Sequence, residues 1–402
     1  MTPTLASTRR GMRTSPEELR PASRVHRGMT RNRVVIVAAL LHASSALAVQ
    51  LPKVSYTSRL LSEFWGRPTQ INAKVFVPAR CRRAGVRCAV LYHLPGYGGY
   101  GNARAEIGDF IGLSASFPRL AMAHVLLDPS VNGGYSYFTD SPNNGPWETA
   151  LVEEFIQYVE ALLGVGGSPE SRFLAGYSSG GWAAVWLQVS TPDFFRAVWA
   201  VSPDPLDFRH FYEVDVTPGS TQNFYFRHDG TPHLLMRDGS VTMKFFMQHD
   251  DVNPAKAGLI SSYEFAWSPR GPDGLPLRLF DRTDGSLNEA TLEAWQAFDV
   301  HAVLEVGGTA LEDALKGKLH IYCGTDDDFF YDEPTGAICR FLRQHHYVAV
   351  CQLVPGRTHG SVMAPSGFYP FGLPSLIVTQ ASRIWRREAA RVRTPAFPAA
   401  AR

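Results

Sequence analysis

Short apolar segments alternate with amphipathic helical periods along most of the chain. Seven segments of seven or eight residues, rich in β-branched or aromatic side chains, are predicted to be strands: 71–78, 88–94, 123–129, 172–178, 197–203, 318–324 and 348–355. Because these segments are apolar on both faces, they suit a sheet that helices cover on both sides.

Helical periods lie between several of the predicted strands. Residues 148–163 carry an apolar stripe with glutamates opposite, and residues 180–190 form a second, mostly apolar helix. This alternation predicts the α/β class with a mostly parallel sheet. Residues 205–300 interrupt the pattern with Pro-, Gly- and Asp-containing sequence and two helical pieces, which indicates an insertion of the size that caps an active site.

Composition favours one large globular domain. The chain has 402 residues, of which 45% are hydrophobic and 12% aromatic, so it can bury a large core. Residues 1–33 carry a net charge of +6 and residues 383–402 carry +5. Since the whole chain carries +2, residues 34–382 carry −9. An acidic body argues against a nucleic-acid partner, and the basic ends are interpreted as solvated tails.

The N-terminal region has the order of a secretory signal peptide. Two arginines after Met29 precede an apolar stretch from Val34 to Leu41, and a small-x-small pattern then predicts cleavage after Ala48. The apolar stretch is too short to span a bilayer, although a buried apolar helix is an alternative. We therefore expect an upstream segment and signal peptide at 1–48, and a secreted or periplasmic location. The domain is expected at 49–385 and a basic disordered tail at 386–402.

Five cysteines would meet an oxidising compartment if the protein is exported. Cys81 and Cys88 flank a basic loop between two predicted strands, and a disulfide between them is one interpretation. Cys323, Cys339 and Cys351 are interpreted as small buried apolar residues. The spacing of Cys and His predicts no metal site.

Residues 174–184, LAGYSSGGWAA, join a predicted strand to a predicted helix. The pattern G-x-S-x-G is weak alone, but its place on a strand-turn-helix junction predicts a nucleophile elbow. Its central residue, Ser178, is the candidate nucleophile. Ser179 would offer a backbone N–H to an oxyanion, and Gly181 would let the helix pack closely on the strand.

A nucleophilic serine needs a histidine base and a carboxylate that orients the histidine. His359 follows the last predicted strand, at the sheet edge where parallel sheets bind ligands. His320 lies inside a strand, and His345 and His346 lie at a helix end before the last strand. These positions favour His359 as the base.

The orienting acid is expected in the loop CGTDDDFF, which follows the strand 318–324. Asp327 is preferred because it stands three residues after Gly324, at the turn where such an acid points inward. Asp326 is the principal alternative, and Asp328 completes the triplet. A metal role for the triplet is disfavoured because no matching histidines accompany it.

Donors for a tetrahedral oxyanion are expected in the glycine-rich segment HLPGYGGYG at 93–101. Gly96 would let the chain turn, and Tyr97 would offer its backbone N–H.

Five motifs, in order from about residue 70 to 365, resemble the Putative esterase family of α/β-hydrolases, which includes S-formylglutathione hydrolases, feruloyl and acetylxylan esterases, and mycolyltransferases. They are HLPGYGG, DSPNNGPWETALVEEFIQYVE, GYSSGGWAA, GKLHIYCGTDDDFF and GRTHGS. The resemblance implies Ser178 as nucleophile, Asp327 as acid and His359 as base. It also implies an oxyanion hole formed by the N–H groups of Tyr97 and Ser179.

One residue departs from the family pattern: Pro95 stands where many relatives have a histidine, which bears on the conformation of the loop. Asn143, Asn144 and Trp147 lie in a segment that such relatives place near the site, where they would contact substrate or anchor a loop.

The resemblance implies a serine hydrolase that cleaves small-molecule or saccharide-linked carboxylic esters through an acyl-enzyme, with no metal and no organic cofactor. Acyl transfer to a sugar or alcohol is an alternative within the fold, and a binding protein without turnover is an alternative of another class. The substrate depends on the insertion and the loops.

Overall fold

Eight strands form one sheet in the computed structural model, which describes residues 51–131, 134–250 and 258–393. They are Lys53–Ser58 (β1), Thr69–Phe76 (β2), Val90–Leu94 (β3), Ala123–Leu127 (β4), Arg172–Tyr177 (β5), Ala197–Val201 (β6), Leu319–Gly324 (β7) and Val350–Val354 (β8). Their order is β1-β2-β4-β3-β5-β6-β7-β8. The pairs β1–β2 and β2–β4 are antiparallel and the other pairs are parallel, so the predicted mostly parallel sheet is confirmed.

All seven predicted strands are present, with ends that differ by a few residues. Strand β1 was missed in the sequence because its segment, KVSYTS, alternates exposed and buried positions and is mostly polar. It lies at the edge of the sheet, where only part of a strand needs apolar side chains.

Helices cover both faces of the sheet. They are Arg59–Trp65 (α1), Ala103–Ser116 (α2), Trp147–Ala150 (α3), Ile156–Leu163 (α4), Ser179–Ser190 (α5), Met243–Asp250 (α6), Leu259–Trp267 (α7), Glu289–Trp295 (α8), Val300–Ala314 (α9), Asp332–Gln344 (α10) and Gly372–Arg393 (α11). A π-helical turn, Leu151–Phe155, joins α3 to α4 and completes the helix predicted at 148–163. Helix α9 is kinked at Gly308.

The core has two layers, one on each face of the sheet. Along β3, Val90, Tyr92 and Leu94 pack into one apolar cluster, whereas Leu91 packs into the other. This alternation follows from the period of two in a strand. Helices α2 and α11 cover the second cluster, and α5 and the insertion cover the first.

The chain between β6 and β7 contains four described helices, α6 to α9, and three of them lie in the insertion predicted at 205–300, where two were expected. Its loops are shaped by repeated Asx turns, in which an aspartate side chain accepts the backbone N–H two residues later. These turns are Asp215–Thr217, Asp229–Thr231, Asp238–Ser240, Asp273–Leu275, Asp281–Thr283 and Asp284–Ser286.

Two disulfides are present. Cys81–Cys88 joins the residues that flank the basic loop, as one interpretation of the sequence had it. Cys339–Cys351 joins α10 to β8 and corrects the interpretation of these two residues as unpaired apolar side chains. Cys323 is buried and free, as expected.

The expected signal peptide at 1–48 and the chain beyond residue 393 lie outside the described residues. Helix α11 extends to Arg393, eight residues past the expected domain end at 385. The first residues of the expected tail, 386–393, are therefore helical. Among the described helices, none combines the length and the hydropathy needed to cross a membrane.

Candidate active site

Ser178 stands on the sharp turn between β5 and α5. Its backbone has φ 55° and ψ −126°, a conformation that costs energy for a residue other than glycine. Hydrogen bonds hold the turn: Ser178 N donates to Val201 O over 3.0 Å, and Ser178 O accepts from Gly181 N at 2.7 Å. The half-buried Ser178 therefore occupies the elbow position that the motif predicted.

The two flanking glycines of the motif are required by close backbone contacts. A Cβ on Gly176 would lie 2.0 Å from Gly180 O, and a Cβ on Gly180 would lie 2.0 Å from Leu94 O. No side chain fits at either position. The second contact also shows that the start of α5 packs directly on the glycine-rich loop after β3.

Asp327 and His359 come together at the carboxyl ends of β7 and β8. His359 Nδ1 lies 2.9 Å from Asp327 Oδ2, and Phe329 N donates to Asp327 Oδ1 over 3.0 Å. Burial by itself raises the pKa of Asp327, but the bonds from His359 and Phe329 outweigh it and lower the pKa. Asp327 is therefore an ionised, fully buried partner for the imidazole.

The neighbouring aspartates do not share this position. Asp326 is exposed and bonds to the Thr325 hydroxyl, while the carbonyl of Asp328 accepts from Arg237 N. Among the triplet, the structure thus brings Asp327 to His359.

Aromatic side chains surround the ring of His359. The ring centroids of Tyr177, Phe329 and Tyr331 lie 5.0, 4.9 and 5.4 Å from that of His359. Tyr177 also donates its hydroxyl to His359 O over 2.9 Å, which ties the histidine loop to the residue next to Ser178. With Nδ1 directed at Asp327, Nε2 is the nitrogen left to accept a proton.

The other histidine candidates have structural surroundings. His320 stacks on Trp199 and bonds to Val198 O, and burial lowers its pKa to about 4. His345 stacks on Phe341 at the end of α10. These contacts leave His359 as the candidate at the elbow.

The loop expected to supply an oxyanion donor lies against the elbow. A Cβ on Gly96 would lie 3.3 Å from Ser178 Cβ, so the backbone of Gly96 lies close to the nucleophile. Tyr97 is the next residue in the chain. Pro95, the departure from the family pattern, has its carbonyl bonded by the Tyr135 hydroxyl at 2.6 Å, which anchors the loop. Ser179 is fully buried at the start of α5. Its side chain is engaged as well, since Ser179 Oγ lies 3.2 Å from the Tyr137 hydroxyl oxygen, within hydrogen-bond distance.

Asp204 is a site residue that the sequence analysis missed. It follows β6, is fully buried, and has its Oδ1 3.4 Å from Ser178 Oγ. The tyrosine hydroxyls of Tyr137 and Tyr263 donate to Asp204 Oδ2 over 2.9 and 2.6 Å. The available signal was an aspartate just after a buried strand, at the same sheet edge as Asp327.

The asparagine segment anchors a loop in this structure. Asn143 Nδ2 donates to Ser268 O over 2.8 Å, at the end of α7, and Trp147 Nε1 donates to Asn144 O over 3.0 Å. Both asparagines are buried. The bond from Asn143 connects the chain before α3 to the insertion, and the bond from Trp147 is local.

Across the described ranges, no group of three or more His, Cys, Asp or Glu residues is arranged to hold a metal ion. The chemistry that these residues can carry out is nucleophilic attack by a hydroxyl, assisted by an imidazole and a carboxylate.

A family model described as "Putative esterase" matches residues 68–347. A search of curated proteins found no match. Among solved structures, a ferulic acid esterase superposes with a TM-score of 0.50 at 16% identity, covering 84% of this chain and 98% of its own.

Two further structures show lower similarity. FphF, a fluorophosphonate-binding serine hydrolase of Staphylococcus aureus, has a TM-score of 0.46 at 11% identity, with 83% of this chain and 97% of its own covered. A fungal esterase of Rhizomucor miehei has a TM-score of 0.47 at 14% identity, with 91% and 94% covered. The family match and the sheet order together give the α/β-hydrolase fold.

Proposed function

The chain belongs to the Putative esterase family of α/β-hydrolases, and from this premise we propose that it cleaves carboxylic esters by a serine mechanism with an acyl-enzyme intermediate. The observation that carries the proposal is the bond of 2.9 Å between His359 Nδ1 and Asp327 Oδ2, beside the elbow that holds Ser178. A charged, buried carboxylate behind an imidazole is the arrangement that lets a histidine take the proton of a serine.

In the first step Ser178 Oγ attacks the ester carbonyl carbon and its proton passes to His359 Nε2. Asp327 stabilises the imidazolium that forms. The N–H groups of Tyr97 and Ser179 donate to the oxyanion. When the tetrahedral intermediate collapses, His359 gives its proton to the departing alcohol and the acyl group remains on Ser178.

In the second step water attacks the acyl carbon while His359 takes a proton from the water. Collapse of this second intermediate releases the acid and returns the proton to Ser178 Oγ. Each stage uses the same oxyanion donors, so the loop that carries Tyr97 must keep its place beside Ser178 throughout.

Labelling with a fluorophosphonate probe tests the nucleophile. The wild-type protein should be labelled at Ser178, and Ser178→Ala should abolish both labelling and ester hydrolysis, a loss on the order of 10⁴- to 10⁶-fold in rate. Ser179→Ala is the matched control and should keep much of the activity, because its backbone N–H is retained. Equal losses in the two variants, or folded wild-type protein that takes no label, would contradict the proposal.

The substrate is proposed to be a small-molecule or saccharide-linked ester. Rates on p-nitrophenyl esters of increasing acyl length, measured beside feruloyl esters and acetylated sugars, would rank the acyl and alcohol groups that the site accepts. A protein that hydrolyses none of these esters, although it takes the probe at Ser178, would contradict this substrate class.

Export to an oxidising compartment is part of the proposal. The Cys81–Cys88 and Cys339–Cys351 disulfides support it, because cytosolic thiols are kept reduced. Protein recovered from the periplasm or medium should begin at Val49. Mature protein that retains residues 1–48 would contradict the leader.

A further inference from the structure

The backbone of Asp204 is tied to the nucleophile elbow. Asp204 N donates to Ser178 O over 3.2 Å, and its side chain directs Oδ1 towards Ser178 Oγ at 3.4 Å. The residue is fully buried. This carboxyl group takes no part in the proposed proton transfers, although it lies within hydrogen-bond reach of the reacting oxygen.

Both tyrosine bonds to Asp204 are made at Oδ2. Tyr263 donates from α7 of the insertion over 2.6 Å, and Tyr137 donates from the loop after β4 over 2.9 Å. Tyr137 takes a backbone φ of 53°, which is uncommon for a bulky residue. Two independent segments therefore orient the carboxyl group, and its Oδ1 is the oxygen left for Ser178.

A chain of buried hydroxyls extends from Asp204 to the base. Tyr331 donates to Tyr212 over 3.0 Å, and the hydroxyls of Tyr212 and Tyr263 lie 3.4 Å apart. Because Tyr263 donates to Asp204, every donor along this chain points towards the carboxyl group. The Tyr331 ring packs against His359 at its other end.

The surroundings favour an uncharged carboxyl group. The side-chain groups that face it are the hydroxyls of Tyr137, Tyr263, Ser178 and Ser179, and the imidazole of His359 lies further away. A buried carboxylate without a cationic partner is costly, and burial raises the pKa of Asp204. A negative charge beside Ser178 would also oppose the oxyanion that forms there.

We propose that Asp204 is a positioning residue that acts as a neutral acid: its Oδ1–H is donated to Ser178 Oγ, which leaves the proton of the serine for His359. The inference rests on the proposed role of Ser178 as nucleophile. The insertion then contributes to catalysis through Tyr263, which orients Asp204, and Asp204 in turn orients Ser178.

Two variants of nearly equal size separate this role from a structural one. Asp204→Asn keeps a donor towards Ser178 and an acceptor for the tyrosines, so its kcat should stay within about threefold of wild type. Asp204→Leu removes the donor, so its kcat should fall by about 10- to 100-fold with little change in KM. The rate of fluorophosphonate labelling should fall in parallel with kcat.

A third variant covers the case in which Asp204→Leu does not fold. Tyr137→Phe/Tyr263→Phe keeps the carboxyl group but removes the two donors that orient it, and its kcat should fall by about 5- to 10-fold. An unchanged kcat in this variant would overturn the inference that Tyr137 and Tyr263 orient Asp204 for its role at Ser178.

The remaining outcomes are also decisive. Equal losses of kcat in Asp204→Asn and Asp204→Leu would show that an ionised acceptor is needed, and a change confined to KM would show contact with substrate instead. Either result would overturn the role of Asp204 as a neutral donor. The proposed function would still stand, because wild-type protein would still be labelled at Ser178. Loss of the proposed function itself would appear as absence of that wild-type labelling.

Discussion

The sheet and the insertion bring residues to the same site by different physical means. The sheet is a continuous ladder of eight strands, whereas the described part of the insertion contains isolated bridges such as Phe211–Val214 and Phe280–Leu287. The insertion is stabilised instead by buried aromatic rings, among them Tyr263, Trp267 and Trp295, which contact one another. Ser178, Asp327 and His359 come from strand ends, whereas Arg237, which bonds to Asp327, and Tyr263, which bonds to Asp204, come from the insertion.

This difference indicates how the roles are divided. Parallel strands that end at one edge bring loops together whatever the loop sequence, so the reacting groups need only follow the right strands. The supporting groups, such as Tyr263 and Arg237, reach the site only through packing between distant segments. We therefore expect changes at strand ends to abolish chemistry and changes in the insertion to weaken it.

The largest expected effect is at the sheet edge. Asp327→Asn removes the charge that stabilises the imidazolium, and kcat should fall by about 10⁴-fold. Asp326→Asn is the matched control, because Asp326 is an exposed neighbour on the same turn, and its kcat should be close to that of wild type. Steady-state kinetics on a p-nitrophenyl ester measures both. A severe loss of kcat in Asp326→Asn would show that Asp326, and not Asp327, is the orienting acid.

An intermediate effect is expected where the insertion contacts the acid loop. Arg237 donates from Nε to Asp327 O over 2.9 Å, pairs with Asp332, and lies over the Phe330 ring. Arg237→Ala should lower kcat by about tenfold with KM little changed, because the loop that carries Asp327 loses the hydrogen bond and the ion pair made by Arg237. Arg237→Lys, which keeps the charge without the planar fork, should fall between Arg237→Ala and wild type. Wild-type kcat in Arg237→Ala would show that the insertion only covers the site.

The smallest effect is expected where the insertion rejoins the domain, and it concerns stability alone. Burial, and then the nearby charge of Asp207, raise the pKa of Asp299 to about 7. The unfolded-state pKa is about 3.9, so the folded protein holds a proton that the unfolded chain releases between these values. The stability from this group is present at low pH and is lost as the pH rises through about 7.

Asp299→Asn should therefore stabilise the protein at pH 8 more than at pH 5, by a difference on the order of 1 to 3 kcal/mol. The amide oxygen can still accept the N–H of His301, which Asp299 caps at the start of α9. Thermal unfolding at both pH values measures the difference, with kcat expected to be unchanged. The same change in Tm at both pH values would show that Asp299 does not titrate in this range.

Much of the site could be predicted because its signals are local. A Cβ on Gly176 would lie 2.0 Å from Gly180 O within the same strand-turn-helix unit, so the spacing of these two glycines is visible in the sequence. Asp327 and His359 each follow a predicted strand, and the parallel arrangement then brings them to one edge. The position of Asp327 within its triplet was an inference from the turn, and the structure places that residue against His359.

Other features depend on contacts between segments far apart in the chain. The Cys339–Cys351 disulfide forms because α10 packs beside β8, and two cysteines twelve residues apart carry no sign of that packing. Strand β1 was missed because an edge strand needs few apolar residues. Asp204 lies in no recognisable motif, and aspartates are so common in the loops after strands that its position alone did not mark it as a site residue.

The sequence by itself determined the α/β class, the elbow at Ser178 and the loops that carry Asp327 and His359, since hydrophobic periodicity and glycine spacing act over a few residues. Only the tertiary structure decided which hydroxyls surround Asp204 and which cation clamps the acid loop. The physical reason is that a buried polar group takes whatever partner the packing supplies. Tyr137 and Tyr263 lie 67 and 59 residues from Asp204 in the chain, and Arg237 lies 90 residues from Asp327.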